Sequence, residues 1–335
     1  MKTALSSLLL ICSCIVGSAQ AQSPAERAKL IEEAKKEGKV VFYTGASAND
    51  GNALKAAFEK KYPFIKMEYF RAGKDKLLGK YLTEARNNTF LADVYQGSVF
   101  PLATLQQRGL LARYRSPERD AIHDSLRPKD DFWAPVILNA MTIAYNTRLV
   151  KGDDIPKSYE DLLLPKWKGR LGLDLNKTEW YVAMLQVLGE ERGRKYMDAL
   201  SKQNVQARDG NTIGGQLLAA GEYSIVVSQY PTSVEEMKKS GAPIEWIALQ
   251  PHLVYAQVLA LTAKNSHPAA GKLFIDYCLS MEGQTVLKGL SRITVRKDVL
   301  PNPPKLIEGH MLLVVNPVSP DDYNRYNNEY HKYFR

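Results

Sequence analysis

The sequence predicts an α/β fold of two doubly wound lobes joined by two hinge crossings, and three observations predict it. A strand–loop–helix unit recurs three times in the first third of the chain. The same unit recurs three times again in the second half. Two extended apolar runs, 133–145 and 254–262, are placed to carry the chain from one lobe to the other and back. Strands alternating with helices at this spacing imply parallel sheets covered by helices.

Each unit is justified by its residues. Ahead of the first, 26–38 reads as a helix with Ala28, Ile31 and Ala34 on one face and Gly38 as its stop. The first unit runs from a buried strand at 39–43 through Thr44 to Ser47 into a helix carrying Leu54, Ala57 and Phe58. In the second, a strand at 65–70 leads through Arg71 to Lys74 into a helix presenting Leu77, Leu78, Tyr81, Leu82 and Ala85. The third has a strand at 91–95, a loop at Gln96-Gly97-Ser98 and a helix at 99–108 stopped by Gly109. The later set places strands at 171–175, 205–208 and 223–227, with loops at 176–179, 209–212 and 228–231 opening helices at 180–188, 213–220 and 232–240. A further strand is expected at 244–249.

This pattern sets the organisation. Residues 1–21 read as a signal peptide, 22–136 as the first lobe, and 137–251 as the second. Residues 252–335 read as the return crossing and C-terminal helices packing on the first lobe and the hinge. Lys2, the uncharged apolar run 5–16 and Ala19-Gln20-Ala21 together predict secretion with cleavage after Ala21, hence a periplasmic chain. That run is short for a membrane span. A lipid anchor on Cys14 is the alternative, disfavoured because Cys12 and Cys14 sit inside the apolar run. Cys278 is the one cysteine beyond the leader, in an apolar helical face, where a packing role is expected rather than a reactive thiol. About 310 mature residues suit two domains.

The net charge of +9 decides little, since 45 basic and 36 acidic residues are interspersed. No polybasic tail or basic helix with interleaved aromatics points to nucleic acid. HExxH, GxSxG, Walker, GxGxxG and CxxC motifs are lacking, and the five histidines are scattered, so an enzyme is not predicted and no cofactor is expected. The C-terminal Tyr323, Tyr326, Tyr330 and Tyr333 fall on one helical face, which predicts docking against the body.

Two open sheets facing each other form a cleft at the carboxyl ends of their strands, walled by helix N-termini that suit anions. The candidate ligand-binding residues are therefore the strand-end polar side chains: Thr44, Ser47, Arg71, Gln96, Ser98, Asn176, Thr178, Asn211, Thr212, Gln229 and Tyr230. Arg71 is the leading anion candidate because its planar fork can grip a carboxylate or phosphate with two bonds. Tyr230 leads in the second lobe.

Several segments carry a resemblance to a known family. These are Val40 to Thr44, Ala92-Asp93-Val94-Tyr95, Ile143 to Thr147, Ser158 to Leu162 with Pro165 to Gly169, Gln216 to Glu222, and Ser280-Met281-Glu282-Gly283-Gln284. Over nearly all of the mature chain the sequence resembles the extracellular solute-binding proteins of ABC importers, in the branch that includes ferric-binding proteins. The resemblance implies a type 2 periplasmic-binding fold and a membrane permease with its ATPase as partners; the chain is expected to be a monomer. It also implies ferric iron as an alternative cargo, held by Tyr230. However, the family's paired tyrosines are here Gln229 and Tyr230, the first loop has no histidine, and the third offers Gln96. Tyr43, Tyr181, Tyr255, Glu179 or a bound anion could complete such a set. The expected function is capture of a small organic anion, such as a phosphonate, phosphate ester or carboxylate. Ferric binding is the alternative, and an enzyme or sensor partner on the same fold is the reading from another class.

Overall fold

The computed structural model describes residues 23–334; the expected leader and its cleavage site lie outside them. The chain opens with α1 (Pro24–Glu37), closed at Gly38 in the left-handed region that glycine adopts without a Cβ penalty. The first lobe then alternates β1 (Lys39–Thr44), α2 (Ala48–Lys61), β2 (Lys66–Arg71), α3 (Lys74–Arg86), β3 (Val94–Ser98) and α4 (Val99–Gln107), followed by the short β4 (Leu111–Ala112). β1 pairs in parallel with β2 on one side and β3 on the other, as the repeated unit requires.

The first crossing is β5 (Ala134–Asn146), one continuous strand shared by both lobes. Its first part pairs with the returning strand β10, and its last part, from Thr142, pairs with second-lobe strands. That lobe holds β6 (Leu171–Asp174), α5 (Thr178–Leu188), α6 (Glu190–Ser201), β7 (Gln206–Arg208), α7 (Asn211–Ala220), β8 (Ile225–Gln229), α8 (Pro231–Lys239) and β9 (Ile244–Ile247). β10 (His252–Thr262) crosses back, antiparallel to both β5 and β3. Each lobe is thus parallel at its outer strands and antiparallel where the crossings enter, a mixed sheet rather than a wholly parallel one. The order is β2-β1-β3-β10-β5-β8-β6-β7.

The remainder is α9 (Pro268–Leu279), α10 (Met281–Gly289), β11 (Ile293–Thr294), β12 (Leu312–Val314) and α11 (Pro320–Phe334). α9 packs on α1 and β1 of the first lobe, with Cys278 fully buried and its thiol pushed up by burial. α11 departs from the expected placement on the first lobe and hinge: it lies on α5 and α6 of the second lobe as well as on α4. Its Tyr326, Tyr330 and Phe334 are buried there.

The Ser280-Met281-Glu282-Gly283-Gln284 segment now has a physical reason. Ser280 caps α10 by accepting from the Gly283 N–H. Gln284, fully buried, donates to the Val136 and Cys278 carbonyls and accepts from the Val295 N–H, tying α10 to β5 and to the strand-end beyond β11. Gly283 permits that closeness, because a Cβ there would lie 2.0 Å from the Tyr277 carbonyl oxygen.

Behind the hinge, His252 is wholly buried, neither ring nitrogen has a hydrogen-bond partner, and the His310 ring lies 4.9 Å away. Burial, with His310 adding to it, lowers its pKa to about 4. Between the unfolded value of about 6.5 and about 4, the unfolded chain takes up a proton that the native state refuses. Stability should therefore fall as pH drops through that window, by up to about 3 kcal/mol at ~1.4 kcal/mol per pKa unit. Melting curves from pH 7 to pH 4 check this. His252→Phe should flatten the dependence, and an equally steep variant would remove His252 as its cause.

Candidate functional site

A cavity of about 460 Å³ lies between the lobes, and its wall draws on both sheets and both crossings. Gly73 to Leu77 at the start of α3, and Gln96 to Ser98 with Pro101 at the start of α4, form the first-lobe side. Asn176, Glu179, Asp209 and Tyr230 face them from the second lobe, while Asn139, Tyr255 and Gln257 come from the crossing strands. A register shift in the β5–β10 ladder falls between Gln257 and Val258, where a bulge re-aims a side chain.

The helices that begin here share a property. α3, α4, α5, α7 and α8 carry no side-chain cap, nor do α6 and α9 elsewhere, whereas α1, α2 and α10 are capped by Ser23, Ser47 and Ser280. Uncapped first turns leave N–H groups and the positive end of the helix dipole for something else to satisfy. At the starts of α3 and α4 Glu179 supplies negative charge through side-chain bonds. Its Oε1 accepts from Lys74 Nζ at 2.9 Å, Ser98 Oγ at 3.2 Å and Tyr323 OH at 3.1 Å. One buried carboxylate thus joins the first lobe, the second lobe and α11. Burial works to raise its pKa, but the Lys74 ammonium outweighs burial and holds it below the ordinary range. Lys74 is raised in turn, Glu179 and Tyr323 overcoming the effect of its burial.

Lys177 is the second charged feature. It is 1 % exposed, its Nζ lies 3.3 Å from the centroid of the Tyr230 ring, and it donates to Asn211 Oδ1 at 3.3 Å. No carboxylate is placed within ion-pair distance among the described residues. Burial lowers its pKa to about 8, despite the opposing fields of Asp174 and Glu179. Tyr230 OH and Tyr255 OH stand 2.6 Å apart, and Asn139, cross-strand partner of Tyr255, donates to the Tyr255 oxygen at 3.1 Å. Only one of the two phenol protons can serve their mutual bond, so the other faces outward as a donor. Burial raises both phenols, Tyr255 to about 12 and Tyr230 well above its ordinary value.

Of the residues expected from sequence, Gln96, Ser98, Asn176 and Tyr230 line the cavity. Thr44, Gln229 and Asn211 stand behind the wall. Thr44 donates to Gln96 Oε1 at 2.6 Å, and Gln229 accepts from the Tyr230 N–H and donates to the Asn211 carbonyl. Ser47 caps α2 through the Asp50 N–H, and Thr178 donates to Asn327 on α11. Arg71 is exposed and outside the wall, its Nε donating to the Ala46 carbonyl at 2.7 Å; Thr212 is exposed as well. Tyr43 and Tyr181 are committed elsewhere, to Glu84 and Glu329. Sequence reasoning did not single out Lys177, Asn139 or Gln257; it named Tyr255 only as a possible addition to a ferric set and Tyr323 only as a docking residue. The available signal was polar residues interrupting otherwise apolar crossing strands. Among the described residues no group of three or more His, Cys, Asp or Glu side chains is placed to hold a metal, and no helix is long and apolar enough to cross a membrane.

A two-lobed α/β scaffold with two crossings and a polar interlobe cavity defines the class of solute-binding proteins, and comparison with known proteins agrees. Residues 53–309 match the bacterial extracellular solute-binding protein family, and the chain belongs to it. It is 23% identical over 229 residues to the Fe(3+)-binding periplasmic protein of Serratia marcescens, covering 65% of this chain and 67% of that one. It is 26% identical over 190 residues to the major ferric iron-binding protein of Neisseria gonorrhoeae, covering 55% of this chain and 56% of that one. Among solved structures, iron-bound HitA from Pseudomonas aeruginosa superposes with a TM-score of 0.76 at 21% identity, over 88% of this chain and 99% of that one. AfuA from Actinobacillus pleuropneumoniae with fructose-6-phosphate bound superposes with a TM-score of 0.75 at 22% identity, over 89% and 98%. These likenesses support the type 2 periplasmic-binding fold.

Proposed function

We propose that the mature chain, cleaved after Ala21 and monomeric in the periplasm, captures a small organic anion between its lobes and delivers it to an ABC permease with its ATPase. It acts as a binder rather than an enzyme, with no resident cofactor and no nucleic-acid partner. The observation that carries the anion reading is Lys177, a buried ammonium without a carboxylate partner, set against the cavity-lining Tyr230. A buried cation is costly unless an anion answers it. α7 and α8 begin beside it without side-chain caps, so a phosphate, phosphonate or carboxylate seated there meets N–H donors, helix dipoles and the free phenol proton together. A relative in structure holds fructose-6-phosphate, which fits a phosphate ester.

Ferric iron is the second reading, supported by the Tyr230–Tyr255 pair at 2.6 Å, two hard oxygen donors that sequence spacing did not bring together. Against it stand the raised pKa values of both phenols and the adjacent Lys177 cation. A thermal-shift screen of phosphate monoesters, phosphonates, carboxylates and ferric citrate separates the two. A ligand at one hundred times its Kd stabilises by about 2.7 kcal/mol. An organic anion should raise the melting temperature by several degrees and ferric citrate should not; the reverse result would replace this reading with the ferric one.

A further inference from the structure

We propose that Glu179 sets the specificity of the cleft. It selects an anion that carries a hydrogen-bond donor, hydroxyl or ammonium, beside its charged group, and it rejects a ligand that brings a second anionic group to that position. This rests on the anion-binding reading above and names the class of anion.

All three side-chain donors to Glu179 converge on Oε1, from α3, the end of β3 and α11. Among the described residues no side chain donates to Oε2, and Glu179 forms part of the cavity wall. One oxygen is thus fixed by the protein and the other is left to the ligand. An ionised carboxylate only accepts hydrogen bonds, so what lies against it must donate.

The charge cannot easily be withdrawn. Lys74 and Tyr323 keep Glu179 ionised, and Phe100 packs against the Tyr323 ring at 5.5 Å, which limits the carboxylate's room to swing away. Lys74 is itself paired, its ammonium donating to Glu179 and Tyr323, so its charge is offset by that of Glu179. Asp75 and Lys76 line the first-lobe side and Asp209 the second, so with Lys74 and Glu179 the wall as a whole has no surplus of positive charge. Lys177 lies behind the wall against the Tyr230 ring, with no carboxylate at ion-pair distance among the described residues. Glu179 therefore presents fixed negative charge within the cavity wall, and like charges brought together in a partly desolvated site repel strongly.

A matched pair of probes tests this. Glycerol 3-phosphate and 3-phosphoglycerate share a phosphate monoester and a hydroxyl, and differ in a hydroxymethyl group against a carboxylate. Calorimetric titration of the wild-type protein should show glycerol 3-phosphate binding at least about tenfold more tightly. Glu179→Gln should bring the two within about twofold, chiefly by gain of affinity for 3-phosphoglycerate. Because that change leaves Lys74 buried without a counter-charge, the double variant Lys74→Met/Glu179→Gln is measured alongside, with the same expected loss of discrimination. A preference unchanged in both variants, or a wild-type preference for 3-phosphoglycerate, overturns the assignment. A wild-type protein that binds neither probe but binds another anion in the thermal-shift screen also overturns the assignment, whereas one that binds no phosphate ester, phosphonate or carboxylate overturns the anion reading itself.

Discussion

Gly283→Ala should lower the melting temperature by roughly 6–12 °C, because the new methyl group meets backbone rather than a movable side chain. Its Cβ would lie 2.0 Å from the Tyr277 carbonyl oxygen and 2.9 Å from the Cys278 Cα. Relief requires α10 to move away from α9, yet three bonds of Gln284 and the Ser280 cap hold it there. Overpacking of this kind costs about 3 kcal/mol at the upper end of its usual range, and ~2–4 °C per kcal/mol applies to a chain of this size. Denaturation followed by circular dichroism checks it. A variant as stable as the parent would mean that the α9–α10 junction is looser than described.

The second large effect has opposite signs in the folded protein and in its complex. Lys177→Met should stabilise the fold at pH 7 by about 3 kcal/mol, the value of a shift from about 10.5 to about 8 at ~1.4 kcal/mol per unit. The same change should weaken anion binding by at least about tenfold, since it removes the one buried charge that an anion would answer. Few substitutions are expected to raise stability and lower affinity together, so the pair of measurements is diagnostic. The pH dependence follows from the same group. The lowered pKa means that the unfolded chain holds the proton more tightly, so wild-type stability should rise as pH increases from about 8 to about 10.5. Anion affinity should fall over the same window, because the ligand needs the protonated form. Lys177→Met should show neither trend; a variant that keeps both would place the titrating group elsewhere.

These expectations depend on features that differ in how far the sequence exposed them. The repeated units were legible because apolar periodicity is a local property, and β1, α2, α3 and α4 fall close to their expected places. Strand ends were less so. β3 was expected at 91–95 and runs Val94–Ser98, and β8 was expected at 223–227 and runs Ile225–Gln229. In both, polar residues that read as loop are in the ladder: Gln96 and Ser98 face Leu259 and Gln257, and Gln229 faces Thr142. Leu91, which read as strand, is half exposed. Tertiary pairing decides such residues, and local pattern does not contain it.

α6 went unassigned because its charged face dominates; only Gly193, Tyr196, Met197 and Leu200 are buried. The site was legible as a set of strand-end loops, but not in its electrostatics. Arg71 had the better chemistry on paper for gripping an anion, and it lies exposed outside the wall. Lys177 read as an ordinary loop lysine, and only packing beneath Tyr230 makes it a buried cation. Glu179 similarly acquires its role from Lys74, Ser98 and Tyr323, which lie 105, 81 and 144 residues away along the chain.

The most direct test of the central claim is calorimetric titration of the mature protein, and of Lys177→Met, with phosphate esters, phosphonates, carboxylates and ferric citrate. The account predicts one organic anion bound per chain by the parent, with affinity reduced at least about tenfold in the variant. Binding of ferric iron alone, with a visible tyrosinate absorption band and no response to any organic anion, would contradict it.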